Sequence, residues 1–214
     1  MRSFQSAIEV GCDLIECDVH LSSDGRLVVI HDHTLERTTN GTGMIRDHTA
    51  AELRRLDAGQ GERIPLLQEV VELALGKVGL VIEIKQVPIQ YPGLEDKLVA
   101  MLRQLGAVAE CAAVSFHHPS IRVLREMEPR LQLGLLEGAR PIDPARMLKE
   151  AGADVFSPHW GAMDPQLVKD VHAAGGAVGV WPVDDDQAVA WCKYCKPDSV
   201  FTNRPREIGP AFKA

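Results

Sequence analysis

The sequence predicts an α/β fold of the (β/α) barrel kind, and three observations carry that reading. Short runs rich in Val, Ile and Leu recur near 14–19, 79–84, 112–116, 132–136, 153–157, 177–183 and 199–202. Amphipathic segments with helix caps lie between them, and polar residues collect where the apolar runs end. Repeated strand–helix units give parallel strands with helices on the outside. Strands of near-continuous apolar character favour a barrel over a doubly wound sheet, although patterning alone leaves both open. A chain of 214 residues suits one domain of this type, taken as 1–214, and no Pro/Ser-rich linker divides it.

Taken in order, the elements explain themselves. Phe4, Ala7 and Ile8 have helical spacing and Gly11 closes the segment, so the chain opens on a helix. A barrel of eight units should open on a strand, so one strand is expected to be missing, leaving seven and a hairpin arm. After the run at 14–20, Ser23-Asp24-Gly25 reads as a turn and 26–31 as a second, antiparallel arm. Thr49 and Glu52 form a capping box. Pro65, Pro119, Pro144 and Pro165 are placed as first-turn prolines, with Asp143 and Asp164 as N-caps. Gly76, Gly106, Gly152 and Gly175 stop later helices.

Composition excludes several classes. A net charge of −7 without a Lys/Arg cluster offers no footprint for a phosphate backbone, so no nucleic-acid partner is expected. No apolar stretch approaches the roughly 20 residues of a membrane span, and the first residues lack a signal-peptide core. Five scattered cysteines do not make a disulfide framework, which points to a reducing, cytoplasmic compartment. Cys192 and Cys195 have redox spacing but fall in a late helical pattern and read as structural thiols.

The chemistry is expected at the strand ends. In Leu14-Ile-Glu-Cys-Asp-Val-His20, Glu16, Asp18 and His20 alternate and share one face of a strand. Glu83 and Lys85 do the same in a second strand. Ser115/His117, Glu137, Ser157/His159, Trp181/Asp184 and Thr202/Asn203 end the later ones. The C-terminal ends of parallel strands form the mouth of a barrel active site. Glu16, Asp18 and Glu83 converging there would repel one another without a cation between them, and all-oxygen ligands favour Mg²⁺ or Ca²⁺ over zinc. An isolated E-x-D is more often a structural ion pair, but the second strand's Glu83 and Lys85 favour a site. Lys85 would serve as a fixed positive charge for a phosphate oxygen. His31, after the hairpin, suits general-acid work, against the blander reading of a hairpin-end histidine bonded to backbone. Asp184-Asp185-Asp186 reads as an N-cap with first-turn acids.

Together these residues resemble the glycerophosphodiester phosphodiesterase family. The blocks 11–20, 23–25, 28–32 and 34–43 look like its signature almost residue for residue. Glu83-Ile-Lys85, Val180-Trp-Pro-Val-Asp184 and Phe201-Thr-Asn-Arg-Pro205 resemble later motifs, so the likeness spans nearly the whole chain. It implies a TIM-type barrel with a small insertion at about 32–65. It also implies Glu16, Asp18 and Glu83 as ligands of a divalent metal, Mg²⁺ or Ca²⁺, and His31 as a catalytic histidine. Lys85 becomes a phosphate contact and Trp181 a pocket wall. The implied reaction is hydrolysis of glycerophosphodiesters, such as deacylated phospholipids, to glycerol 3-phosphate and an alcohol. The family normally opens with a strand ending in His-Arg-Gly, whereas Arg2–Ala7 looks like the middle of its first helix. Losing one of two acid–base histidines would remove roughly 10²–10⁴ in rate. The alternative function is therefore an inactive barrel that binds metal or phosphodiester as a partner protein. A homodimer that closes the gap between exposed strand edges is a third expectation.

Overall fold

The computed structural model describes residues 1–213 and divides into two compact units, Met1–Ala113 and the unit from Val114 on. The first unit opens on α1 (Arg2–Val10), closed by Gly11 at φ 77°, the left-handed conformation that glycine adopts without a Cβ clash. β1 (Leu14–Leu21) and β2 (Leu27–Val29) follow, then α2 (Ala50–Leu53), α3 (Leu67–Ala74), β3 (Gly79–Ile84) and α4 (Leu94–Leu105). β4 (Cys111–Ser115) runs over the boundary between the units. The second unit contains α5 (His118–Met127), β5 (Gln132–Glu137), α6 (Pro144–Ala151), β6 (Val155–Pro158) and α7 (Pro165–Ala173). It ends with β7 (Ala177–Val180), α8 (Asp186–Cys195), β8 (Ser199–Val200) and α9 (Pro205–Ile208). All seven apolar runs are strands, and the predicted arm at 26–31 is β2.

In the first unit β1 is central. It pairs in parallel with β3, placing Asp18 opposite Glu83, and antiparallel with β2, placing His20 opposite Val28. Gly79 begins β3 because the side chain of Leu14 fills the space a Cβ would need, 2.6 Å away. Residues 32–65 lie over a core of their own, built from Val28, Ile30, Leu35, Ile45, Ala50, Leu53 and Ile64. The capping box of Thr49 and Glu52 starts α2 inside that segment.

In the second unit β5, β6, β7 and β8 pair in parallel in that order. Past Pro158, which has no N–H, His159 donates to the Glu137 carbonyl and bridges in parallel to Trp181. Asp143 and Asp164 cap α6 and α7 by accepting from Arg146 N and Leu167 N. Pro144 and Pro165 are first helical residues and Pro119 a second one. Pro65 corrects the expectation: it precedes the cap residue Leu66, whose N–H donates to Glu69 instead. Asp185 caps α8, while Asp184 turns away to accept from Thr202 Oγ1 and from both nitrogens of Asn203. Cys192 and Cys195 are buried on α8, and burial raises both thiols, that of Cys192 to about 11. Among the described residues no helix is long and apolar enough to cross a membrane.

Candidate active site

The end of β1 assembles three carboxylates from two adjacent strands. Glu16 and Asp18 point to the same face by strand alternation, and parallel register brings Glu83 beside Asp18. One oxygen from each of Glu16, Asp18 and Glu83 lies within 4.8 Å of the others. Two ligands sharing an ion at about 2.4 Å can be at most about 4.8 Å apart, so the spacing fits a Ca²⁺-sized shell, whereas Mg²⁺ at about 2.1 Å needs them within about 4.2 Å. Lys85 follows β3, and its N–H donates to the Val19 carbonyl, which fixes the side chain above the pair. Its Nζ stands 2.8 Å from Asp18 Oδ1 and 2.6 Å from Glu83 Oε1.

Electrostatics agree with that geometry. Burial, with the charges of Asp18 and Glu83, pushes the Glu16 carboxyl well above its ordinary range. Glu16 keeps solvent-exposed surface although protein atoms crowd it, so the neighbouring charges are the sturdier of those causes. Burial likewise raises Glu83 against the opposing pull of Lys85. Burial alone would lower the Lys85 ammonium, but Glu83 and Asp18 outweigh it and hold the group charged. Three carboxylates facing one ammonium leave a net negative charge in a partly buried place, a donor set that suits a hard divalent cation. Cys17 lies on the opposite face of β1; burial raises its thiol well above the usual range, so it is not a nucleophile here.

His20 corrects the simple strand reading. It shares the face of Glu16 and Asp18, yet both ring nitrogens are engaged elsewhere. Nε2 lies 3.2 Å from the His31 carbonyl and Nδ1 2.9 Å from the Tyr91 hydroxyl. A carbonyl only accepts, so Nε2 carries the proton and Tyr91 donates to Nδ1. Burial pushes the Tyr91 phenol up to about 12, which keeps that proton in place. Gln86 holds the loop that delivers Tyr91, accepting from Tyr91 N at 2.6 Å and donating to Tyr91 O at 3.1 Å.

Burial lowers the imidazole of His20 to about 4. Below its unfolded value near 6.5 the unfolded chain takes up a proton that folded His20 refuses until about pH 4. Folding stability is therefore lost as pH falls through that window, at about 1.4 kcal/mol per pH unit from this residue. Urea unfolding of the protein and of His20→Gln across the window should show a shallower acid slope in the variant. Parallel slopes would contradict the assignment.

His31 stands just beyond β2. Ile30 N–H donates to the Asp18 carbonyl, tying the segment to β1, and buried Ile30 and Leu35 pin it from both sides. His31 Nδ1 is 2.7 Å from Asp32 Oδ1, and Arg37 grips Asp32 through Nε at 2.5 Å and Nη2 at 2.8 Å. Arg37 first, and His31 after it, hold the Asp32 carboxyl far below its usual range. The His31 carbonyl lies 3.2 Å from His20 Nε2, so the residue is held beside the strand that carries Glu16 and Asp18. Asp32 and Arg37, within the signature-like blocks 28–32 and 34–43, and Tyr91 and Gln86, outside any motif, are not among the site residues expected from the sequence. The His-Asp pair at 31–32 was the available signal for the first; nothing in the spacing marked the others.

The remaining predicted contact, Trp181, lies in the second unit. Its Nε1 donates to the Ser157 carbonyl at 2.8 Å, and Phe116 and His159 meet its ring edge to face.

Comparison with known proteins gives the family of the chain. The glycerophosphoryl diester phosphodiesterase family matches residues 1–207. The glycerophosphodiester phosphodiesterase of Caldanaerobacter subterraneus subsp. tengcongensis is 37% identical over 97% of this chain and 89% of its own length. That of Bacillus altitudinis is 32% identical over 96% and 88%. Among solved structures, an Oleispira antarctica phosphodiesterase in complex with the product sn-glycerol-3-phosphate is 29% identical, with a TM-score of 0.88 over 100% of this chain and 90% of that one. The glycerophosphodiester phosphodiesterase of Agrobacterium tumefaciens is 28% identical, with a TM-score of 0.82 over 96% and 90%. The fold class is accordingly the α/β, TIM-type (β/α) barrel of these structures. The chain belongs to the glycerophosphoryl diester phosphodiesterase family and is an enzyme of that class.

Proposed function

We propose that the protein hydrolyses glycerophosphodiesters to sn-glycerol 3-phosphate and an alcohol, with Mg²⁺ or Ca²⁺ held by Glu16, Asp18 and Glu83. The observation that carries this reading is the convergence of those three carboxylates around Lys85. The product bound to the Oleispira antarctica relative supports the same substrate class. When bound, the cation supplies Lewis-acid neutralisation of phosphate charge.

The chain's own residues do the rest. Lys85 holds a positive charge where a phosphate oxygen can take it as a partner. His31 keeps Nδ1 toward Asp32 and uses Nε2 to exchange a proton with the alkoxide that leaves phosphorus. The His20–Tyr91 pair fixes the His31 backbone through the carbonyl. Trp181 is a further substrate contact, and residues 32–65 are the insertion that follows His31 and braces it through Asp32 and Arg37.

The test is release of sn-glycerol 3-phosphate from glycerophosphocholine, with either cation added or chelated, in the wild type and His31→Ala. Turnover that needs the cation and falls roughly 10²–10⁴-fold in the variant is expected. No product with either cation, or an unaffected variant, would overturn the reading.

A further inference from the structure

His31 is mostly exposed, 63% for its side chain, and an exposed imidazole has little packing to set its rotamer or its tautomer. Asp32 Oδ1 sits 2.7 Å from Nδ1, and a carboxylate accepts only, so the hydrogen on that nitrogen is settled by its neighbour. Arg37 closes on the same carboxylate with a two-pronged fork, Nε to Oδ2 and Nη2 to Oδ1. Arg37 Nη2 also lies 3.5 Å from His31 Nδ1, where two donors face each other. That approach is tolerable because Asp32 Oδ1 accepts from both.

The arrangement is hard to explain by stability. Arg37 is 62% exposed in its side chain, and ion pairs so open to solvent contribute about 0–1 kcal/mol. The backbone here is anchored independently, by Ile30, Leu35 and the His20 contact. A bidentate pair aimed at one nitrogen of one histidine does have a use in catalysis. It presents Nε2 as the atom that exchanges a proton and keeps the ring from turning.

We propose that Asp32 is a positioning residue that fixes the Nδ1–H tautomer of His31, and that Arg37 is the clamp that keeps Asp32 aimed. This rests on the reading of His31 as the proton-exchanging group. Asparagine at 32 can present its amide N–H to Nδ1, which favours the opposite tautomer at little change in volume. Asp32→Asn should lose about 10–100-fold in kcat, the usual size for a residue acting through another, with KM nearly unchanged. Arg37→Gln should show a smaller loss of the same kind, and Asp32→Glu should recover part of it.

A direct readout does not depend on turnover. In protein labelled with ¹⁵N-histidine, at alkaline pH where the ring is neutral, the His31 nitrogens report which one carries hydrogen. His31→Gln identifies the signals. Nδ1–H in the wild type and Nε2–H in Asp32→Asn is the expected result. The same tautomer in both proteins, or an unchanged kcat in Asp32→Asn while His31→Ala is inactive, overturns the proposal and leaves the function standing. An active His31→Ala instead removes the functional reading on which it rests.

Discussion

Glu16→Gln should make the metal-free protein more stable and the enzyme nearly inactive. Glu16 is crowded by protein and faces Asp18 and Glu83, and among the described residues no lysine or arginine grips it as Lys85 grips the other two. Its carboxyl is raised, so the folded state holds a proton that the unfolded chain releases above the ordinary carboxylate range. Stability from this group therefore falls as pH rises from that range toward the raised value. Removing the charge removes the cost. Because Glu16 is open to solvent, screening limits the gain to about 1 kcal/mol, a Tm rise of about 2–4 °C in a chain of this size. Activity should fall at least about 100-fold, beyond what a supporting residue contributes, and the rise in Tm on adding Ca²⁺ or Mg²⁺ should shrink. Thermal unfolding with and without the cation reads all of this. A metal-free variant less stable than the wild type would mean that Glu16 has a structural partner.

Lys85→Met should do the reverse to stability. Lys85, Asp18 and Glu83 are mostly buried, with side chains 12%, 16% and 12% exposed, and the ammonium bridges both carboxylates. Taking away one partner leaves buried charges uncompensated, which typically costs 3–5 kcal/mol; with residual exposure here, about 3 kcal/mol is expected. A divalent cation binds the same carboxylates and should narrow the deficit, since a ligand of the native state stabilises in proportion to its occupancy. Urea unfolding of both proteins, chelated and with saturating Ca²⁺, provides the comparison. A deficit that the cation leaves untouched would separate Lys85 from the carboxylate site. The opposite signs at Glu16 and Lys85 together distinguish a metal centre from an ordinary ion-pair network, in which losing either charge should destabilise.

Much of this was legible in the sequence because its signals are local. Alternation in Leu14–His20 and Glu83–Lys85 places side chains on one strand face whatever surrounds them, and Asp143-Pro144 and Asp164-Pro165 start helices by short-range chemistry. What sequence could not show depends on partners brought by irregular backbone. Whether His20 faces the cluster or the interior is decided by Tyr91, seventy-one residues away on a loop closed by Gln86. Asp32 and Arg37 are five apart in a segment without helical or strand periodicity, so no spacing rule pairs them. Pro65 lies two residues before Leu67, the first helical residue, because the capping there comes from Glu69 and not from the proline.

The proposed activity depends on one divalent ion held by Glu16, Asp18 and Glu83 where phosphodiesters are cleaved. A crystal structure grown with Ca²⁺ and sn-glycerol 3-phosphate tests it most directly. The expected result is an ion bound by an oxygen from each of the three carboxylates at about 2.3–2.6 Å, with a phosphate oxygen of the product near Lys85 Nζ. An ion bound elsewhere, or those carboxylates paired with Lys85 alone while product occupies another place, would contradict it.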